Sequence, residues 1–118
     1  MRGWGVIALP LFFMMSGCSK TKSTDELIGD LKSGPEKERI IAVRLLPQRK
    51  GDAGRIVPAL IEALQDKGED IRWSAAIGLG YFGEQAREAI PALELAQNDK
   101  DGRVREAARV AISRIGAH

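Results

Sequence analysis

The chain has 118 residues, enough for one small domain, and its charge is nearly balanced, with 18 Lys and Arg against 16 Asp and Glu. Such a balance lacks the global positive field of a nucleic-acid binder, and one cysteine rules out an internal disulfide framework and a cysteine-based zinc site. Scarce aromatics, 5% of residues, and abundant Ala, Leu and Ile suit closely packed helices rather than a sheet.

The chain opens MRGWGVIALPLFFMMSGCSK. A positive charge at Arg2, a low-polarity stretch from Gly3 to Met15 and the small residues Ser16 and Gly17 are the three regions of a secretory signal peptide. The apolar stretch is shorter than the ~20 residues a helix needs to cross a bilayer, and Pro10 within it argues against a permanent helix. Met15-Ser16-Gly17-Cys18 resembles the lipobox of bacterial lipoproteins, with Met where Leu is usual. The resemblance implies cleavage before Cys18, removal of residues 1–17, a diacylglycerol on the Cys18 thiol and acylation of the new amino group. Several acyl chains anchor a protein stably where one does not. Ser19, rather than Asp, resembles the pattern of lipoproteins sent on to an outer membrane. The alternatives are a simple secretory signal, with Cys18 an ordinary small residue, and an uncleaved anchor. Ser19 to Thr24, SKTKST, is polar and aperiodic, so residues 18–24 read as a lipidated Cys and flexible tether. The domain proper is expected over 25–118.

From there the chain repeats itself every 33 residues. Asp66, Lys67, Arg72, Ala75 and Gly83 recur as Asp99, Lys100, Arg105, Ala108 and Gly116, and IVPAL at 56–60 recurs as AIPAL at 89–93. One step earlier, Arg72 and Ala75 land on Arg39 and Ala42. A constant period of this length marks stacked units that share one continuous core. Apolar spacing predicts helices near 25–33, 36–48, 55–66, 70–82, 86–97 and 102–115. Leu27 and Leu31 stand one repeat before Leu60 and Leu64. Ile41, Ala42, Leu45 and Leu46 are spaced for one face of the second, and Ile56, Val57, Leu60, Ile61 and Leu64 mark an apolar stripe on the third. Ala75, Gly78, Leu79 and Phe82 mark the fourth, Ala89, Ile90, Leu93 and Ala96 the fifth, and Ala108, Ala111, Ile112 and Ile115 the sixth. Pro58 and Pro91 fall in first turns, where a missing N–H costs little. The last helix, rich in Arg and Glu on its exposed side, is expected to cap the stack, with stacking on another copy or partner as the alternative.

Pro58, Asp66, Ile71 and Arg72 in one unit, and Pro91, Asp99, Val104 and Arg105 in the next, resemble the HEAT repeat: a proline early in one helix, an aspartate at its end, then an apolar residue and an arginine opening the following helix. The first unit departs from the pattern with Asp25, Ser33 and Glu38, and keeps Arg39. The short period and the phrase AAIGLGYFG at 75–83 are closest to the phycobilisome-lyase-type HEAT-like group. The resemblance implies an all-α, short right-handed α-solenoid of about three helical hairpins. It also implies a structural ladder of ion pairs from Asp66, Arg72, Asp99 and Arg105, read as Asp66–Arg72 and Asp99–Arg105 holding the turns.

Little in the chain assembles chemistry. His118 is the only histidine and the last residue, so neither a metal site nor a Ser–His pairing can form, and no catalytic residue or cofactor is expected. GLGYFG lacks a preceding strand, so Gly78 and Gly80 read as close helix contacts and not as a phosphate loop. Trp73, Ile77 and Tyr81 lie four apart on one helix face. Their equivalents are Ile40, Arg44 and Gln48 one repeat earlier, and Glu106, Val110 and Arg114 one repeat later. A row that turns wholly apolar only in the middle suits an interaction hot spot, or it packs on a neighbouring helix or the tether. A basic set, Arg103, Arg105, Arg109 and Arg114, with Arg39, Arg44, Arg49, Lys50 and Arg55, raises nucleic acid as an alternative partner. Net charge and an export signal oppose it, and anionic lipid or polysaccharide suits a tethered protein better. A bilin-lyase-like activity follows from the resemblance alone. The reading is an adaptor or assembly component of the bacterial envelope, lipid-anchored at the periplasmic face of an outer membrane, with an unidentified protein partner.

Overall fold

The computed structural model describes residues 21–116; the signal segment 1–17, Cys18 and His118 lie outside the described residues. Helix α1, Thr24–Ser33, starts at a reciprocal cap. The Ser23 hydroxyl accepts from the Glu26 N–H at 3.1 Å, and the Glu26 carboxylate accepts from the Ser23 N–H at 2.7 Å. Leu27 and Leu31, one turn apart, are its buried face. Residues 22–24, assigned from sequence to the tether, are tied to the domain. Arg49 donates to the Lys22 carbonyl at 2.7 Å and to the Thr24 hydroxyl at 3.2 Å, and that hydroxyl donates to Asp52 at 2.7 Å.

Helix α2, Glu36–Leu45, is shorter than the spacing predicts because Pro47 has no N–H with which to continue it. The chain passes instead through 3-10 turns at Leu46–Gln48 and Lys50–Asp52. Helix α3, Ala53–Ala63, begins earlier than expected, so Pro58 lies in its interior rather than its first turn. The carbonyl four residues back belongs to Gly54, which faces water and loses little by the missing bond. Helix α4, Glu69–Phe82, stops at Gly83, whose φ of 57° is the one positive value among the described residues and favours a side chain without Cβ. The helix expected over 86–97 is divided. A 3-10 stretch, Gly83–Ala89, bends at Ala86, and α5, Ile90–Ala96, follows with Pro91 in its first turn. Helix α6, Gly102–Ile115, is capped by the Asp101 carboxylate, which accepts from the Arg103 N–H at 2.7 Å.

Consecutive helices pair into three hairpins: α1 with α2, α3 with α4, and α5 with α6. The stack has two layers, α1, α3 and the 83–96 segment on one side, and α2, α4 and α6 on the other. Leu27, Leu46, Ile56, Leu60, Ile71, Leu79, Leu93 and Ile115 are fully buried between them, each contributing about 1.5–3 kcal/mol relative to exposure. This is the all-α short solenoid that the repeat implies. Helix α4 approaches both layer neighbours through glycine. A Cβ on Gly78 would lie 2.7 Å from the Pro47 ring, and one on Gly80 would lie 3.3 Å from the Ala111 Cα.

Candidate functional site

The turns between the two layers are joined by arginine. Arg39 on α2 gives Nε and Nη2 to the two Asp66 carboxylate oxygens at 3.0 and 3.2 Å, and Nη1 to the Gly34 carbonyl at 2.9 Å. Arg72 on α4 repeats this on Asp99 at 2.9 and 3.1 Å, with Nη1 on the Asp66 carbonyl at 2.8 Å. Each aspartate also accepts a turn N–H, Gly68 on Asp66 and Asp101 on Asp99, both at 2.8 Å. One guanidinium thus holds its own hairpin's turn carbonyl and the next hairpin's turn carboxylate. The expected pairs Asp66–Arg72 and Asp99–Arg105 are corrected accordingly. Arg72 and Arg105 reach those aspartates only at their backbone carbonyls, and each carboxylate belongs to the arginine 27 residues before it. The cause is rise per repeat: an arginine at the start of one helix points along the stack, toward the following turn.

Electrostatics agree with bidentate pairing. Burial pushes the Asp99 carboxyl up, but hydrogen bonds from Arg72 and the Asp101 N–H, with the Arg72 charge, outweigh it and hold the carboxyl below its usual value. The Asp99 hydrogen bond raises Arg72 in turn, against desolvation. Both Arg39 and Arg72 are buried, at 8% and 7% exposure, and such pairs work as structure. Among the described residues no buried side-chain N or O lacks a partner, and no group of three or more His, Cys, Asp or Glu is placed to hold a metal ion.

The row Trp73, Ile77 and Tyr81 runs along the outer face of α4. Trp73 and Ile77 are half-buried and pack against the core, whereas Tyr81 is 55% exposed. The row forms a ridge between two grooves. One, of about 600 Å³, lies against α6 and is lined by Trp73, Ile77, Tyr81, Arg103, Val110 and Arg114 among others. The other, of about 300 Å³, lies against α2 and includes Arg44, Pro47 and Gln48. Arg103 sits over the Trp73 ring, 5.1 Å from its centroid, and pairs with Asp70 at 3.0 Å and Asp101 at 3.2 Å. The guanidinium charge faces the negative side of the ring quadrupole. Sequence reasoning missed this contact, although a signal was present. Asp70 and Arg103 stand 33 residues apart with opposite charge, and equivalent positions of stacked repeats are neighbours.

The basic cluster is neutralised only in part: of its members Arg39, Arg55, Arg103 and Arg109 pair with carboxylates. Arg55 pairs with Asp25 and Asp52, Arg109 with Glu106, and Arg49 holds Thr24 and the Lys22 carbonyl. At the amino-terminal end of the stack, a further groove of about 570 Å³ exposes Ile41 and Leu45 beside Thr21 and Lys22. Inner repeats carry the smaller Ser74 and Gly78, then Ala107 and Ala111, at those register positions, and at Gly78 even a Cβ would lie 2.7 Å from the Pro47 ring.

Comparison with curated proteins finds no match. Residues 24–113 match the family model described as HEAT repeats. With its 33-residue period, three stacked hairpins and arginine–aspartate rungs, the chain belongs to the HEAT repeat family.

Proposed function

We propose that this chain is a membrane-tethered interaction module of the bacterial cell envelope, an adaptor or assembly component without chemistry of its own. HEAT repeats are in general protein-interaction modules. What points to a docking surface in this chain is the ridge Trp73–Ile77–Tyr81, apolar and accessible between two grooves, while the same positions on α2 and α6 are mixed. Aromatic side chains supply large, stiff contact area at low entropic cost, and they serve as anchors for that reason. The tether rests on the sequence alone: Met15-Ser16-Gly17-Cys18 after a short apolar run, with a lipid on Cys18 and Ser19 directing the protein to an outer membrane, periplasmic side.

Crosslinking in cells tests the surface. The double variant Trp73→Ser/Tyr81→Ser is expected to lose crosslinked partners while keeping its helical circular dichroism. Unchanged partners, or loss of the fold, would remove the docking role. Fractionation with intact mass tests the anchor. A membrane-bound chain beginning at acylated Cys18, released by Cys18→Ala, supports it; a soluble chain that keeps residues 1–17 overturns the envelope placement.

A further inference from the structure

We infer that the segment received by this ridge is acidic: an extended stretch of a partner protein whose surface-facing side chains, at every second position, are apolar ones flanked by Asp or Glu. The inference rests on the reading of the ridge as a docking surface and adds the chemistry of what docks there.

It comes from the fate of the arginines. Among the described residues, Arg39, Arg55, Arg72, Arg87, Arg103 and Arg109 pair with carboxylates, and Arg49 and Arg105 donate to a hydroxyl or to backbone carbonyls. Only Arg44 and Arg114 have guanidinium groups with no acceptor among the described residues. These two flank the ridge, Arg44 in the groove toward α2 and Arg114 in the groove toward α6. The carboxylates nearby are already engaged, Glu106 by Arg109 and Asp70 by Arg103. A partner crossing this face therefore meets an apolar crest between two uncompensated positive charges. Guanidinium forks match carboxylates in a bidentate manner, and the ridge offers places for apolar side chains between them.

Geometry sets the length. Packed helices lie 8–10 Å apart, so a path from α2 across α4 to α6 covers roughly 20 Å, or about six residues of extended chain at ~3.3 Å each. Alternate side chains of such a strand point to one side, so an acid, two apolar residues and a second acid at every second position would all face Arg44, the ridge and Arg114 in turn.

The test uses the full chain in mild detergent and fluorescence anisotropy with three labelled probes: a peptide of about ten residues with Asp, Phe, Leu and Asp at every second position and Ser between them, its Lys-for-Asp counterpart, and a short single-stranded oligonucleotide. The acidic peptide is expected to bind and the basic one not. Arg44→Glu/Arg114→Glu should weaken the acidic peptide by roughly tenfold or more, and Tyr81→Ser, at an exposed position, should weaken it independently. No binding of the acidic peptide, equal binding of both peptides, or indifference to the arginine changes would overturn the acidic preference. If Tyr81→Ser and Trp73→Ser/Tyr81→Ser still weaken the basic peptide, the docking surface survives that failure. If neither peptide responds to either variant, both readings fall. Oligonucleotide binding that depends on Arg44 and Arg114 but not on Tyr81 would overturn the inference in favour of a polyanion site.

Discussion

Arg72 and Arg105 occupy the same place in successive repeats, yet their surroundings differ. Arg72 is 7% exposed and bridges two turns through the Asp99 carboxylate and the Asp66 carbonyl. Arg105 keeps only the inward half of that arrangement, a 2.7 Å bond to the Asp99 carbonyl, and the rest of its guanidinium lies at the surface. The same residue in the same register is a structural pin inside the stack and a surface group at its end. What separates them is a following turn: a repeat supplies half of each rung, and stacking supplies the other half.

The strongest way to break this comparison is Asp99→Ala. It leaves a buried guanidinium and the Asp101 N–H without their acceptor, and it is expected to cost about 3–5 kcal/mol in urea denaturation, a large share of a small domain's stability. A cost near zero would show that the rung does not hold the turn. The pair also carries a pH signature. Asp99 has its folded pKa depressed, so its contribution is present above the unfolded carboxylate value of about 3.9 and is lost as pH falls through the lower folded value. Thermal stability should decline from about pH 5 downward, and Asp99→Asn, though less stable at neutral pH, should flatten that decline.

Two glycines sharpen the contrast between the inside and the outside of the stack. Gly78→Ala places a Cβ against the Pro47 ring and should cost about 1–2 kcal/mol despite the helix propensity it gains. Gly29→Ala, on α1 with nothing within 4 Å, should instead stabilise by about 0.5–1 kcal/mol. Smallest of all, Arg105→Ala is expected to change stability by no more than about 0.5 kcal/mol. If it matched Asp99→Ala, the end of the stack would be as constrained as its middle.

The repeat and the helices were readable from the chain because burial of one helix face leaves a periodic trace in residue order. Ile56 and Leu60, and Ala108, Ala111 and Ile115 mark buried faces both by spacing and by exposure, whereas Ile41 and Leu45, spaced with Ala42 and Leu46, are exposed. Helix ends were less readable where a proline or a bend redirected the chain, as at Pro47 and Ala86. The ridge was visible as a contrast between repeats: Trp73, Ile77 and Tyr81 against the mixed rows on either side. Its grooves, the Arg103 contact with Trp73 and the two guanidiniums without an acceptor among the described residues were not.

By itself, then, the sequence determined an all-α array of period 33 and the residues that recur in it, since both are relations along the chain. Tertiary structure alone decided that Arg39 takes Asp66 and Arg72 takes Asp99, that Lys22 to Thr24 join the domain, and that Arg44 and Arg114 flank the ridge without an acceptor among the described residues. Those outcomes depend on distances across the stack, where the rise from one hairpin to the next carries each side chain past its own turn and toward its neighbour's.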